Sequence, residues 1–160
     1  MFEQVDSLAE MLEMLDIEQV QVVGHSMGSG MGLLLAAKIP QKVTRLVMTS
    51  MCFFLNERQE DIYRSVMKVS HLMMRFRPAF MADIPGLPYF MATRYFHTVP
   101  QDRETLRRGM VDYLEIEYET AVRCANDATT PAIPEAGANL AVPCLLIACR
   151  QDQVMPTENV

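Results

Sequence analysis

The segment Val20 to Gly32, VQVVGHSMGSGMG, constrains what this chain can fold into more than any other stretch. A β-branched run stops at Gly24, and a glycine-dotted stretch then opens onto Leu33, Leu34, Leu35, Ala36 and Ala37, all strong helix formers. The pattern predicts a strand over Gln19–Gly24 and a helix over Ser26–Lys38, which Pro40 stops. Val43 to Ser50, VTRLVMTS, reads as a second apolar strand, and Val142 to Cys149, VPCLLIAC, as a third. Strand, helix and strand joined by short links form a βαβ unit, which requires parallel strands and a right-handed crossover. Continuous apolar strands suit a parallel sheet covered on both faces. The expected fold class is therefore α/β, with a partial parallel sheet.

Ahead of this unit, Phe2, Val5, Leu8, Met11, Leu12 and Leu15 recur at helical spacing and predict a surface helix over 2–16. Between Met51 and Ala141 the pattern changes. Ile62, Val66, Val69 and Met73 keep helical spacing, as do Leu106, Met110 and Leu114, and prolines at 78, 85, 88, 100, 131 and 134 punctuate the region. It reads as an insertion of several short helices between the second and third strands.

Composition excludes several function classes. A chain of 160 residues with net charge −6 and no basic run is a poor partner for nucleic acid or an anionic membrane. No apolar run is long enough to span a bilayer, and the acidic, amphipathic N-terminus is unlike a signal peptide, so a cytoplasmic location is the expectation. Cys52, Cys124, Cys144 and Cys149 form no metal-ligand spacing, and no metal or cofactor is expected. Cys144 and Cys149 are expected to pack as small hydrophobes.

Gly24-His25-Ser26-Met27-Gly28 fits the pattern G-x-S-x-G, in which a serine on a sharp turn projects its hydroxyl from the carboxyl end of a strand. The two glycines are expected to let the backbones approach closely. The helix that begins there offers free N–H groups and a favourable dipole to developing negative charge, with the Met27 N–H aimed at the oxyanion. The competing reading is a glycine-rich turn whose serine merely caps the helix. A nucleotide loop fits less well, since no P-loop lysine follows and no acidic residue ends RLVMTS.

With its flanking strands and helix, the block from Leu8 to Ser50 resembles the helix–strand–elbow–helix–strand core of α/β-hydrolase-fold enzymes, and VPCLLIACRQDQVMP resembles their acid-bearing strand. The resemblance implies a hydrolase core over 1–50, a helical cap or lid over 51–141, and a core strand with its acid loop over 142–160. It implies Ser26 as nucleophile, the Met27 N–H as oxyanion donor and Asp152 as the acid that orients a histidine base. Cys149 stands where the family pattern has glycine, and Pro156 supplies the proline expected after the acid. His25 is expected to hydrogen-bond or pack beside the turn, and His71 and His97 belong to the insertion rather than to the base position. Only eight residues follow Asp152 (160 − 152 = 8), and the first helix stands where the family has earlier strands, so the chain is expected to be an internal piece of a larger hydrolase, inactive alone. A methionine- and aromatic-rich run (Met73, Met74, Phe76, Phe80, Met81, Tyr89, Phe90, Met91, Tyr95, Phe96) suggests an apolar roof over a small apolar ester, lactone or related acyl substrate. The alternative is a non-catalytic binding module on the same fold.

Overall fold

The structure is a computed structural model; it describes residues 1–51, 53–54, 56–94, 96–152 and 157, with 70–74 described by backbone alone. Three strands, β1 (Val20–His25), β2 (Val43–Thr49) and β3 (Cys144–Ile147), form a parallel sheet in the order β1-β2-β3. Helix α1 (Phe2–Met14) precedes β1, and α2 (Met27–Lys38) crosses from β1 to β2. Both strand ends are in register: His25 pairs with Thr49, and Thr49 with Ile147.

The core is built on α2. Leu33, Leu34, Leu35 and Ala36 are buried against Val5, Ala9 and Leu12 of α1, Val43, Leu46 and Met48 of β2, and Ile133 and Ala136 of α7 (Ala132–Ala138). A helix that is apolar all round needs cover all round, and α2 has it from Ser29 to Ala36, where Met31 alone is half-covered. Gly32 seats it on the sheet. A Cβ there would lie 3.0 Å from Val22 Cγ1 and 3.1 Å from Leu46 Cδ1.

The expectation of strands buried on both faces fails at β3. All four of its residues are exposed, as are Cys144 and Cys149, which therefore do not pack as small hydrophobes. In β1, Val22 is half-covered, while Val23 on the opposite face is 75% exposed. Among the described residues, the helices cover one face of β1 and leave β3 uncovered.

Helix α1 ends with the Ile17 N–H donating to Leu12 O (3.0 Å) and the Asp16 N–H to Glu13 O (3.0 Å), a paired C-terminal cap. Asp16 holds the left-handed conformation at φ 52°, where glycine is usual. Asp16→Gly is expected to stabilise the chain by about 1 kcal/mol, read as a raised thermal midpoint.

The segment between β2 and β3 is helical, as expected, but its first helix is long: α3 runs 18 residues, Glu57–Met74. A 3-10 turn (Ala79–Asp83), α4 (Leu87–Ala92), α5 (Arg103–Glu115) and α6 (Tyr118–Asp127) follow before α7. Helix α3 packs against α6, whereas α4, α5 and the 3-10 turn pack on one another. The α3 stripe Ile62, Val66 and Val69 is more than half exposed. The face turned toward α6 carries Tyr63, whose hydroxyl donates to Ala125 O at 3.5 Å.

Asp102 caps α5 by accepting from the Thr105 hydroxyl (2.6 Å) and the Thr105 N–H (2.8 Å). These bonds, the hydroxyl first, hold its carboxyl below the ordinary carboxylate value. A depressed folded-state value means that the cap's contribution is present above the ordinary value and fades as pH falls through the depressed one. Asp102→Asn is expected to flatten part of the fall in thermal midpoint from about pH 5 downward.

Candidate active site

Ser26 occupies the junction between β1 and α2 with φ 51° and ψ −122°. A non-glycine residue holds such a conformation only where its surroundings over-determine it, at a cost of about 1–3 kcal/mol. It stands at the N-cap position of α2, yet its side chain makes no capping hydrogen bond. The reading of Ser26 as a helix cap therefore fails, and its hydroxyl is left for other use.

The bracing of this turn is concentrated on Thr49. Thr49 O accepts from the Ser26 N–H (2.9 Å) and from Ser29 Oγ (3.0 Å), while the Thr49 N–H donates to Ser29 Oγ (3.1 Å). Thr49 Oγ1 bonds Gly24 O (3.3 Å) and lies 2.8 Å from His25 Nδ1. His25 is thus engaged beside the turn. Ser29 is fully buried, a polar side chain in the otherwise apolar stretch Met27–Ala37 of α2. That mismatch is the signal in the sequence for its role.

The glycines of the pentapeptide divide unequally. A Cβ on Gly24 would lie 2.4 Å from Gly28 O and 2.6 Å from Ser29 Cα, so Gly24 is demanded by close approach. A Cβ on Gly28 would meet nothing within 4 Å among the described residues. What Gly28 sets against Gly24 is its carbonyl, which any residue would supply, so the expectation of close approach needing glycine holds at Gly24 and is corrected at Gly28.

A cavity of about 630 Å³ lies over the junction, lined by Ser26 and Met27 at the floor and by Ser50, Met51, Phe53 and Phe54 after β2. Glu60, Tyr63 and Arg64 of α3 face it, with Cys124 and Ala125 of α6 and the turn Thr129–Pro131 opposite. Ser50 also holds a left-handed conformation, at φ 49°, and its N–H donates to Ile147 O at 3.1 Å. Burial pushes the Tyr63 phenol up from its ordinary value, so it stays a neutral hydroxyl.

Asp152 follows β3 in a turn closed by its own N–H to Cys149 O (3.0 Å). The shared register of the three strand ends puts this turn at the same carboxyl edge of the sheet as Ser26. Asp152 does not line the cavity, and Pro156 lies outside the described residues. His97 is exposed between α4 and α5 and does not line the cavity, and the His71 side chain lies outside what is described. The suggested methionine and aromatic roof is not confirmed. Phe76, Phe80, Tyr89, Phe90 and Phe96 are exposed, and none of the run's described side chains lines the cavity. The Met73 and Met74 side chains and Tyr95 lie outside the described residues. The apolar lining instead comes from Met51, Phe53, Phe54, Ile133 and two prolines.

The alpha/beta hydrolase fold family matches this chain over residues 1–160, its whole length. The chain belongs to that family. Its fold is that of an alpha/beta hydrolase, with the parallel sheet and flanking helices described above. Among curated proteins, it is 26% identical over 153 residues to a Bacillus subtilis (strain 168) protein named "Putative 2-succinyl-6-hydroxy-2,4-cyclohexadiene-1-carboxylate synthase", covering 94% of this chain and 55% of that one. Among solved structures, an esterase from Exiguobacterium antarcticum superposes with a TM-score of 0.72 at 16% identity, over 97% of this chain and 57% of that one. MGS-M2, an alpha/beta hydrolase enzyme from a Medee basin deep-sea metagenome library, gives 0.60 at 23% identity, over 98% and 56%. The chain thus spans about half the length of the relatives it matches. Among the described residues, no helix is long and apolar enough to cross a membrane.

Proposed function

We propose that this chain carries the nucleophile of a serine hydrolase acting on a small apolar ester, lactone or related acyl compound. Ser26 attacks the acyl carbon, the Met27 N–H receives the oxyanion, and Asp152 orients the histidine that takes the serine proton. The observation that carries this reading is the Ser26 backbone at φ 51° and ψ −122° under a cavity, with its side chain unspent on capping. The first N–H groups of α2 lack intrahelical acceptors, which suits the Met27 N–H to the oxyanion role. Neither His25 nor His97 lines the cavity and the His71 side chain lies outside what is described, so the reading assigns the base to none of the described residues.

A fluorophosphonate probe tests the reading. The whole protein is expected to label, and Ser26→Ala to abolish labelling. A folded protein that does not label points to the non-catalytic binding module. The 160 residues alone are expected to hydrolyse p-nitrophenyl esters no faster than their own Ser26→Ala variant.

A further inference from the structure

The cavity over Ser26 shares part of its α3 and α6 wall with a second space. Tyr63, Arg64, Ala125 and Thr129 line it and also line a second concavity of about 370 Å³, completed by Met67, Lys68 and Asn126. The two spaces adjoin across these α3 and α6 residues, and their chemistry differs. Around Ser26 the lining is mostly apolar. The second space has two cations, two polar side chains and a phenol, and no acidic residue among those that line it.

The charge order along α3 produces this. Glu57, Glu60 and Asp61 fill the first turns, and Arg64 and Lys68 follow four residues apart on one face. Arg64 pairs with Glu60, one turn back and on the rim of the first cavity. Lys68 makes no ion pair among the described residues. Arg64 has guanidinium donors beyond the one paired with Glu60, so an anion between the two side chains can be held by Arg64 and Lys68 together. A cationic concavity is also out of keeping with a chain of net charge −6.

We infer that this basic annex receives an anionic terminus of the substrate, so that the acyl compound presented to Ser26 is a half-ester carrying a free carboxylate at its far end. The inference rests on the serine-hydrolase reading only for the ester. Arg64 supplies a planar donor fork and Lys68 a point charge, while the apolar chain between ester and carboxylate lies along Phe53, Phe54 and Tyr63.

Binding to the intact chain, measured by calorimetry with monomethyl suberate and its neutral dimethyl ester, tests this directly. The half-ester is expected to bind about tenfold more tightly, with the advantage shrinking as salt rises. Arg64→Gln with Lys68→Gln, both at exposed positions, is expected to bring the half-ester's affinity down to that of dimethyl suberate in the same variant. Equal affinity for the two esters, an advantage that survives the double variant, or no saturable binding of either would overturn it. Ser26→Ala is expected to keep the preference. A preference that persists in a protein that the fluorophosphonate probe does not label would leave the annex standing and remove only the nucleophile.

Discussion

Gly24→Ala is expected to destabilise the chain by about 3 kcal/mol, whereas Gly28→Ala, two residues beyond the serine, changes stability by less than about 1 kcal/mol. The added methyl at Gly24 would sit 2.4 Å from Gly28 O and 2.6 Å from Ser29 Cα. Both are backbone atoms that no rotamer change can move aside. The first turn of α2 would have to lift away from β1, and the Ser26 N–H would leave Thr49 O. At Gly28 the same methyl enters open space, and alanine is the better helix former. Urea unfolding of the two variants beside the parent chain checks the contrast. Equal midpoints for the two would show that the strand–helix junction relaxes in a way the static geometry does not allow.

Ser29→Ala is expected to cost about 2 kcal/mol. The hydroxyl is fully buried and makes two bonds to one residue, donating to Thr49 O and accepting from its N–H. Alanine fits the space but leaves the Thr49 N–H without that acceptor at the end of β2. The effect is expected to be local as well as global: amide exchange at Thr49 should quicken beyond what the loss of global stability explains. An unchanged urea midpoint and unchanged exchange at Thr49 would remove Ser29 from the bracing of the turn.

The βαβ unit and the serine at its bend were legible in the sequence because apolar run length and glycine placement are local properties. Val20 to Lys38 forms its strand and helix within a residue of expectation. What was not legible depends on partners distant in the chain. Ser29 and Thr49 are ordinary residues until the register of β1 and β2 brings them together. The burial of Cys144 was misjudged because an apolar run states what a strand could bury against and says nothing of what covers it. The cavity wall was sought in the most aromatic run. Phe53, Phe54 and Tyr63 line it instead, since they follow directly from the end of β2 and the packing of α3 on α6. The difference between Gly24 and Gly28 is likewise invisible to a motif that scores both alike.

Thr49 joins two parts of the cavity that a substrate meets separately. Through its backbone it fixes the turn bearing Ser26, and as the residue before Ser50 and Met51 it sets where the neighbouring wall begins. Floor and adjacent wall are therefore anchored on one residue. On the proposed function, adjustment to acyl groups of different size falls to the side where α3 and α6 pack on each other. Variation in substrate range among close homologues is accordingly expected at positions such as Tyr63, Arg64 and Thr129, with the pairing of residues 29 and 49 retained.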